Sequence, residues 1–192
     1  MRRVLHGFLA IACLASCLFA QSESVGTNSL SAGFAFGGLA GDYGNLQVPP
    51  IFLAFDRVVG RNFSLGLNVA YAGSSYDYAD PGFDYWTEDY SYLVVAARGE
   101  YHLNDVLNIK APGLDTYAGL GIGVAAVSSS VTNFVTVNGP AGEFPAGYSA
   151  GGSYIFPEIF IGTRYFFAPR WAVLGELGYG LGFLKIGISH TL

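Results

Sequence analysis

The sequence predicts an all-β protein, an eight-stranded antiparallel up-and-down transmembrane β-barrel, on three observations. Apolar residues alternate with small or polar ones at a period of two through eight separate segments, the pattern of strands with two unlike faces. Of the 192 residues only 12% are charged while 52% are apolar, and mean hydropathy is +0.40, too little charge to solvate the exterior of a water-soluble domain. The connections between segments are long at one end and short at the other, as in outer-membrane barrels.

The chain starts with a basic Arg2-Arg3 pair followed by the apolar run Val4 to Ala20. That layout predicts a signal peptide over residues 1–20 and a barrel domain over 21–192, with cleavage after Ala20. Leu18 occupies the −3 position, where a small residue is preferred, and Leu14-Ala15-Ser16-Cys17 offers a competing lipobox in which Cys17 would be lipidated. Both cysteines, Cys13 and Cys17, lie in this segment, so the barrel domain has no thiol for a disulfide or a zinc site. Loss of Arg2 and Arg3 takes the net charge from −5 to −7, which argues against a nucleic-acid partner.

The strands follow in order. Leu30, Ala32, Phe34 and Phe36 alternate with Ser31, Gly33, Ala35 and Gly37; Ile51, Leu53 and Phe55 oppose Phe52, Ala54 and Asp56. Phe63, Leu65, Leu67, Val69 and Tyr71 form the third aliphatic row, and Leu93, Val95, Ala97, Gly99, Tyr101 and Leu103 the fourth. In the fifth, Ala118, Leu120, Ile122 and Val124 oppose Gly119, Gly121 and Gly123; glycines at a period of two fit one face of a strand better than a helix-dimer motif. Ile155, Pro157, Ile159, Ile161 and Tyr165 make the sixth, Trp171, Val173, Leu177 and Tyr179 the seventh, and Leu184, Ile186, Ile188 and Leu192 the eighth. Arg57–Asn62 and Phe167–Arg170 read as short connections, and Asn104–Asp115 as intermediate, with a Pro112-Gly113 turn. Gly73–Asp89 and Ser128–Gly152 read as long loops, and Gly180-Leu181-Gly182 as a tight hairpin, short although it lies at the long-loop end.

Alternation defines two faces without saying which meets solvent. The polar face is poor in charge and rich in Gly, Ala and Ser, which suits the narrow interior of an eight-stranded barrel better than an aqueous surface. Aromatic residues stand at the ends of the aliphatic rows: Phe63, Tyr101, Tyr165 and Trp171 toward the short turns, Tyr71 and Tyr179 toward the long loops. These read as two interfacial girdles. Leu67, Ile122, Ile159 and Val173 are then expected to meet lipid at mid-membrane. Asp56, Arg98, Glu100, Glu158, Arg164, Glu176 and Lys185 fall on the opposite face as structural lumen charges, where opposite signs must be set together. A two-residue Gly180-Leu181 turn would place Glu176 directly across from Lys185, and a four-residue turn would make them diagonal neighbours. Arg98 is expected to join from across the lumen through Glu158 or Glu176.

Little in the sequence points to chemistry, and no catalytic, cofactor-binding or metal-binding residue is assigned. His102, beside Glu100 at the end of the fourth strand, reads as a polar residue at the lumen end. Ser189 and His190 are neighbours on one strand and so point to opposite faces, which prevents them from forming a triad. Asp77, Asp80, Asp84, Glu88 and Asp89, interleaved with Tyr76, Tyr78, Tyr85 and Trp86, make the second loop acidic, but their spacing matches no EF-hand. It reads as a solvated, adhesive surface loop.

Three segments carry a family resemblance: Arg164-Tyr165-Phe166-Phe167, then Gly175-Glu176-Leu177-Gly178-Tyr179-Gly180, then Leu184-Lys185-Ile186-Gly187-Ile188-Ser189-His190. With Tyr117-Ala118-Gly119-Leu120-Gly121-Ile122-Gly123 they resemble strands of the small bacterial outer-membrane β-barrel proteins, the OmpA/OmpX-like superfamily and its "outer membrane protein beta-barrel domain" branch. The chain departs from that pattern at Leu192, where such proteins usually carry an aromatic residue that the assembly machinery reads. The resemblance implies an outer-membrane location in a Gram-negative-type bacterium, loops outside and termini in the periplasm. It implies outer-membrane lipids, lipopolysaccharide and the barrel-assembly machinery as partners, with no cofactor and a surface ligand unknown. A non-enzymatic barrel with loops for adhesion, envelope or partner contact is the expected function. The alternatives are a lipid A-modifying enzyme on the same scaffold and a soluble secreted lipocalin-like barrel. An open porin is not expected, because eight strands leave an interior that side chains fill.

Overall fold

A computed structural model describes residues 25–38, 45–79, 84–136 and 149–192. The predicted signal peptide and its cleavage site lie outside these residues. Eight antiparallel strands form a closed barrel in which each pairs with its neighbours in sequence: β1 (Asn28–Phe36), β2 (Asn45–Gly60), β3 (Phe63–Ala79), β4 (Asp84–His102), β5 (Leu114–Thr136), β6 (Ser149–Ala168), β7 (Trp171–Tyr179) and β8 (Leu184–Thr191). The seam joins β1 to β8, and there Ser31 Oγ donates to Ser189 Oγ at 3.0 Å across a sequence separation of 158.

The aliphatic rows face outward. Leu67, Ile122, Ile159 and Val173 are 57, 62, 57 and 48% exposed, a surface that only hydrocarbon would tolerate. Phe63, Tyr101, Tyr165 and Trp171 border this belt at the turn end, with Tyr71 and Tyr179 bordering it at the other. The stretch from Phe63 to Tyr71 has the length that a tilted strand needs to cross, about 9 residues.

The strands run well beyond the sequence-based expectation at one end. β3, β4, β5 and β6 have 17, 19, 23 and 20 residues, against about 9–11 for a crossing, while β1, β7 and β8 have 9, 9 and 8. Most of Gly73–Asp89 and Ser128–Gly152, expected as loops, is therefore ladder. Beyond the girdle the alternation passes from aliphatic residues to Ser, Thr and Tyr, which pair as well in a ladder but leave no hydropathy signal. β2 climbs less regularly: Pro49 and Pro50 supply no N–H, and its register with β3 shifts between Val48 and Ile51.

At the turn end Arg61-Asn62 and Pro169-Arg170 are tight, and residues 103–113 form a longer connection. Asn104 staples that connection to β5: its Nδ2 donates to the Leu114 carbonyl, and its Oδ1 accepts the Thr116 N–H at 2.8 Å. At the other end the β7–β8 hairpin has the register of a two-residue turn, Glu176 opposite Lys185 and Leu177 opposite Leu184. Gly180 there has φ +137°, which an L side chain would strain to adopt. Leu181 tips into the barrel mouth, 4% exposed, beside Pro50, Ala72, Tyr92 and Val94 of the facing strands. The short hairpin thus sets Leu181 as a stopper at the mouth.

Small residues and charges are not all that fills the interior. Phe52, Val94, Tyr117, Phe156, Phe160, Leu174 and Leu181 form an apolar cluster inside it. The glycines face these bulky groups. The Phe160 ring lies where a Gly119 side chain would stand, a Cβ at Gly123 would come within 2.5 Å of the Phe156 ring, and one at Gly162 within 2.6 Å of Tyr117. The glycine row is a bed for rings, which period-two alternation alone does not reveal.

Candidate functional site

The molecule divides into three zones: the lumen, the turn end and the tall end. In the lumen Asp56, Arg98, Glu100, Glu158, Arg164, Glu176 and Lys185 are all buried, none above 4% exposure. Arg98 lies 2.5 Å from Glu176 Oε1 and 3.4 Å from Asp56 Oδ1, and also contacts Glu100. Arg164 reaches Glu100 at 2.8 Å, and both Asp56 and Asp115 at 3.3 Å. Lys185 Nζ sits 3.2 Å from Glu176 and 3.6 Å from Glu158, and the Tyr117 hydroxyl donates to Glu176 at 2.9 Å. Sharing each of Asp56, Glu100 and Glu176 between two cations offsets the desolvation that burying seven charges costs. Rings complete the grip: the Arg98 guanidinium lies 4.3 Å from the Phe160 centroid and that of Arg164 lies 4.2 Å from Tyr117. Gly66 sits between Asp56 and Arg98 across β3, and a side chain there would overlap the Asp56 carboxylate. Glycine at 66 thus opens the lane in which that ion pair forms.

At the turn end the structure assembles a chain that the sequence conceals. Ser64 Oγ and His102 Nε2 are 2.8 Å apart, and His102 Nδ1 is 2.8 Å from Asp115 Oδ1. Three strands supply the three groups, from residues 64, 102 and 115, so no local motif announces them. Beside it opens a cavity of about 320 Å³, lined by His102, Asp115, Arg61, Asp105, Lys110 and Phe166 among others. The order Ser–His–Asp is that of a hydrolase triad. Ser64, however, is 1% exposed and does not line the cavity, so a substrate there meets the histidine and not the hydroxyl. Asp115 is also bound to Arg164, which makes the chain the outermost link of the lumen network. His190 packs its ring 4.4 Å from that of Trp171, while Ser189 faces inward. Among the described residues no group of three or more His, Cys, Asp or Glu is placed to hold a metal ion.

The tall end is a wall. Inward parity, set by the buried Ala72, Tyr92, Ala125 and Phe156, carries upward to Tyr76 and Tyr78 on β3, Trp86, Glu88 and Tyr90 on β4, and Tyr154 on β6. Tyr78 and Trp86 face each other across the ladder and stack at 4.9 Å with an interplanar angle of 12°, and Tyr76 lies 4.5 Å from Tyr78. On the other side Thr87 Oγ1 donates to Asp77 Oδ1 at 2.9 Å. The acidic segment is thus an ordered hairpin over most of its length. Opposite it the β7–β8 hairpin turns just beyond the girdle residue Tyr179.

Charge is sorted along the axis, a feature present in the sequence but visible only once the topology is known. No Lys or Arg occurs in residues 62–97, 111–163 or 171–184. Among the described residues the cations outside the lumen, Arg57, Arg61, Lys110 and Arg170, all belong to the turn end, while the tall end carries Asp77, Asp84, Glu88 and Asp89.

No family model matches the chain, and no curated protein matches it. Solved structures do. Ail, the attachment invasion locus protein of Yersinia pestis, solved in complex with the heparin analogue sucrose octasulfate, superposes with a TM-score of 0.51 at 16% identity, covering 88% of this chain and 96% of that one. The N-terminal β-barrel domain of Pseudomonas aeruginosa OprF gives 0.44 at 13% identity over 88% and 98%, and a de novo designed transmembrane β-barrel 0.47 at 13% over 90% and 100%. The likeness to Ail shows the fold: this chain is an eight-stranded transmembrane β-barrel.

Proposed function

We infer that the protein is a non-enzymatic integral outer-membrane barrel whose tall hairpins stand outside the cell and make contact with surfaces or partners. The turn end and both termini face the periplasm. One observation carries this reading: four successive strands overshoot the membrane by several residues each, at the same end, while the lumen beneath them is filled. Folding that much backbone into an ordered wall beyond the bilayer serves recognition, since neither anchorage nor permeation needs it. The attachment role in the name of Ail agrees with this. Its heparin analogue does not carry over, because the wall here offers a sulfated ligand no cation.

Outer-membrane lipids and lipopolysaccharide then surround the belt, and the barrel-assembly machinery inserts the chain. Epitope tags near Asp80 and near Asn108 test the orientation on intact cells. Surface labelling at Asp80 alone is expected; labelling at Asn108 alone reverses the topology. Cells whose β3–β4 hairpin is cut back to the girdle should lose adhesion while keeping the barrel in the membrane, and unchanged adhesion would remove the proposed role.

A further inference from the structure

We propose that the inner side of the wall, formed by Tyr76, Tyr78, Trp86, Glu88, Tyr90 and Tyr154, docks a basic stretch of polypeptide, holding Arg or Lys side chains against its rings and Glu88. The proposal rests on the surface-contact reading above and names the chemistry of the partner.

Charge complementarity supports it first. Every charged residue of this end is acidic, and the nearest cations in sequence lie in the lumen or at the far end of the barrel. A potential of one sign over a concave surface attracts cations and repels polyanions such as heparin or nucleic acid. The rings support it second. A guanidinium or ammonium is held well where an aromatic face and a carboxylate meet, because the ring quadrupole and the anion act on different sides of the cation. The barrel's own interior uses this arrangement twice: Arg98 lies on Phe160 with Glu176 and Glu100, and Arg164 lies on Tyr117 with Glu100 and Asp56. The wall repeats the ingredients, rings and a carboxylate on one inward-facing side, and among the described residues no Lys or Arg lies at this end. Tyr76 and Tyr154 are each 41% exposed, and Glu88 sits two residues from Trp86 and from Tyr90 on the same inward-facing row. Third, among the described residues the β7–β8 hairpin stands lower than β3–β6, so the inner side of the wall rises above Leu181.

The test uses the full barrel in nanodiscs of phosphatidylcholine, so that the lipid carries no net charge. A fluorescent nona-arginine peptide is titrated by anisotropy, with heparin and a neutral dextran oligosaccharide as alternative probes. Saturable binding of the peptide that weakens with salt is expected, and no binding of heparin. Trp86→Ala and Glu88→Gln should each weaken binding about three- to tenfold, the size of one lost ring or carboxylate contact. Asp77→Asn and Asp89→Asn change charge on the outer side of the same hairpin and should alter it less than about twofold. Heat-modifiable gel mobility confirms that each variant is folded. Equal losses for Glu88→Gln and Asp77→Asn would mean a diffuse field without a docking surface, and would overturn the proposal. So would binding of heparin or dextran in place of the peptide. If cutting back the hairpin abolishes adhesion while peptide binding is unchanged, the partner chemistry fails and the contact role stands; unchanged adhesion removes the contact role itself.

Discussion

Glu176 and Lys185 stand directly opposite on β7 and β8, 3.2 Å apart and almost free of solvent contact. Removing either deprives its partner of one of two opposite charges in a buried site, since Glu176 keeps Arg98 and Lys185 keeps Glu158. The cost lies below the roughly 3–5 kcal/mol of a wholly unpaired buried charge. A double-mutant cycle on Glu176→Gln and Lys185→Met, read by urea unfolding in lipid vesicles, should therefore show strong coupling, with the double variant more stable than the sum of the singles predicts. Strict additivity would mean that the two charges do not meet. Ser64 gives a second residue-scale expectation. Its hydroxyl is bonded to His102 yet shut away from the adjoining cavity, so a fluorophosphonate probe should not label the folded protein in detergent or vesicles. Labelling that disappears in Ser64→Ala would reveal a nucleophile and overturn the non-enzymatic reading.

Strands of this barrel carry two messages, one for lipid and one for the interior. On β6, Ile159 points into the belt while Glu158 and Phe160 on either side point inward. Ile159→Arg should lower stability by about 2–4 kcal/mol, the cost of a cation at mid-membrane. Equal stability in vesicles would show that this row does not face lipid. Much of this was legible in the sequence: the aliphatic row of each strand, the inward parity of the charges, and the 176–185 register given a two-residue turn. Three things were not. The upper halves of β3 to β6 lack an aliphatic row, so Tyr76, Tyr78 and Trp86 passed for loop residues. Phe156 and Phe160 alternate with Ile155, Pro157, Ile159 and Ile161, so both faces of β6 are apolar there and hydropathy cannot separate them. Only the glycines lying opposite those rings on β5 hint that bulk belongs inside. The Ser64–His102–Asp115 chain was hidden for another reason, since its members come from three strands and meet as diagonal neighbours across two adjacent ladders.

As a whole the molecule is polarised. A basic turn end, a lumen of shared ion pairs and an acidic aromatic wall follow one another along the axis, and the stopper at Leu181 separates the last two. Planar bilayers containing the protein should show no steady ion conductance, because the mouth is stopped and Phe52, Phe156 and Phe160 occupy the bore. Lasting open-channel currents from the wild-type barrel would contradict the packed interior.

Closure by β1 and β8 has a kinetic consequence. Every other ladder joins strands that follow one another in sequence, whereas this one pairs residues 158 apart and must await nearly the whole chain. Parting it converts a cylinder with no free edge into a sheet with two, exposing backbone groups that lipid cannot satisfy. The seam is therefore the ladder expected to part first when the inserted barrel opens. Replacing Ser31 and Ser189 by cysteines would fasten it covalently, since their oxygens already lie 3.0 Å apart. The oxidised variant should unfold in urea far more slowly than the same protein under reductant. Identical rates would mean that the barrel opens along some other line.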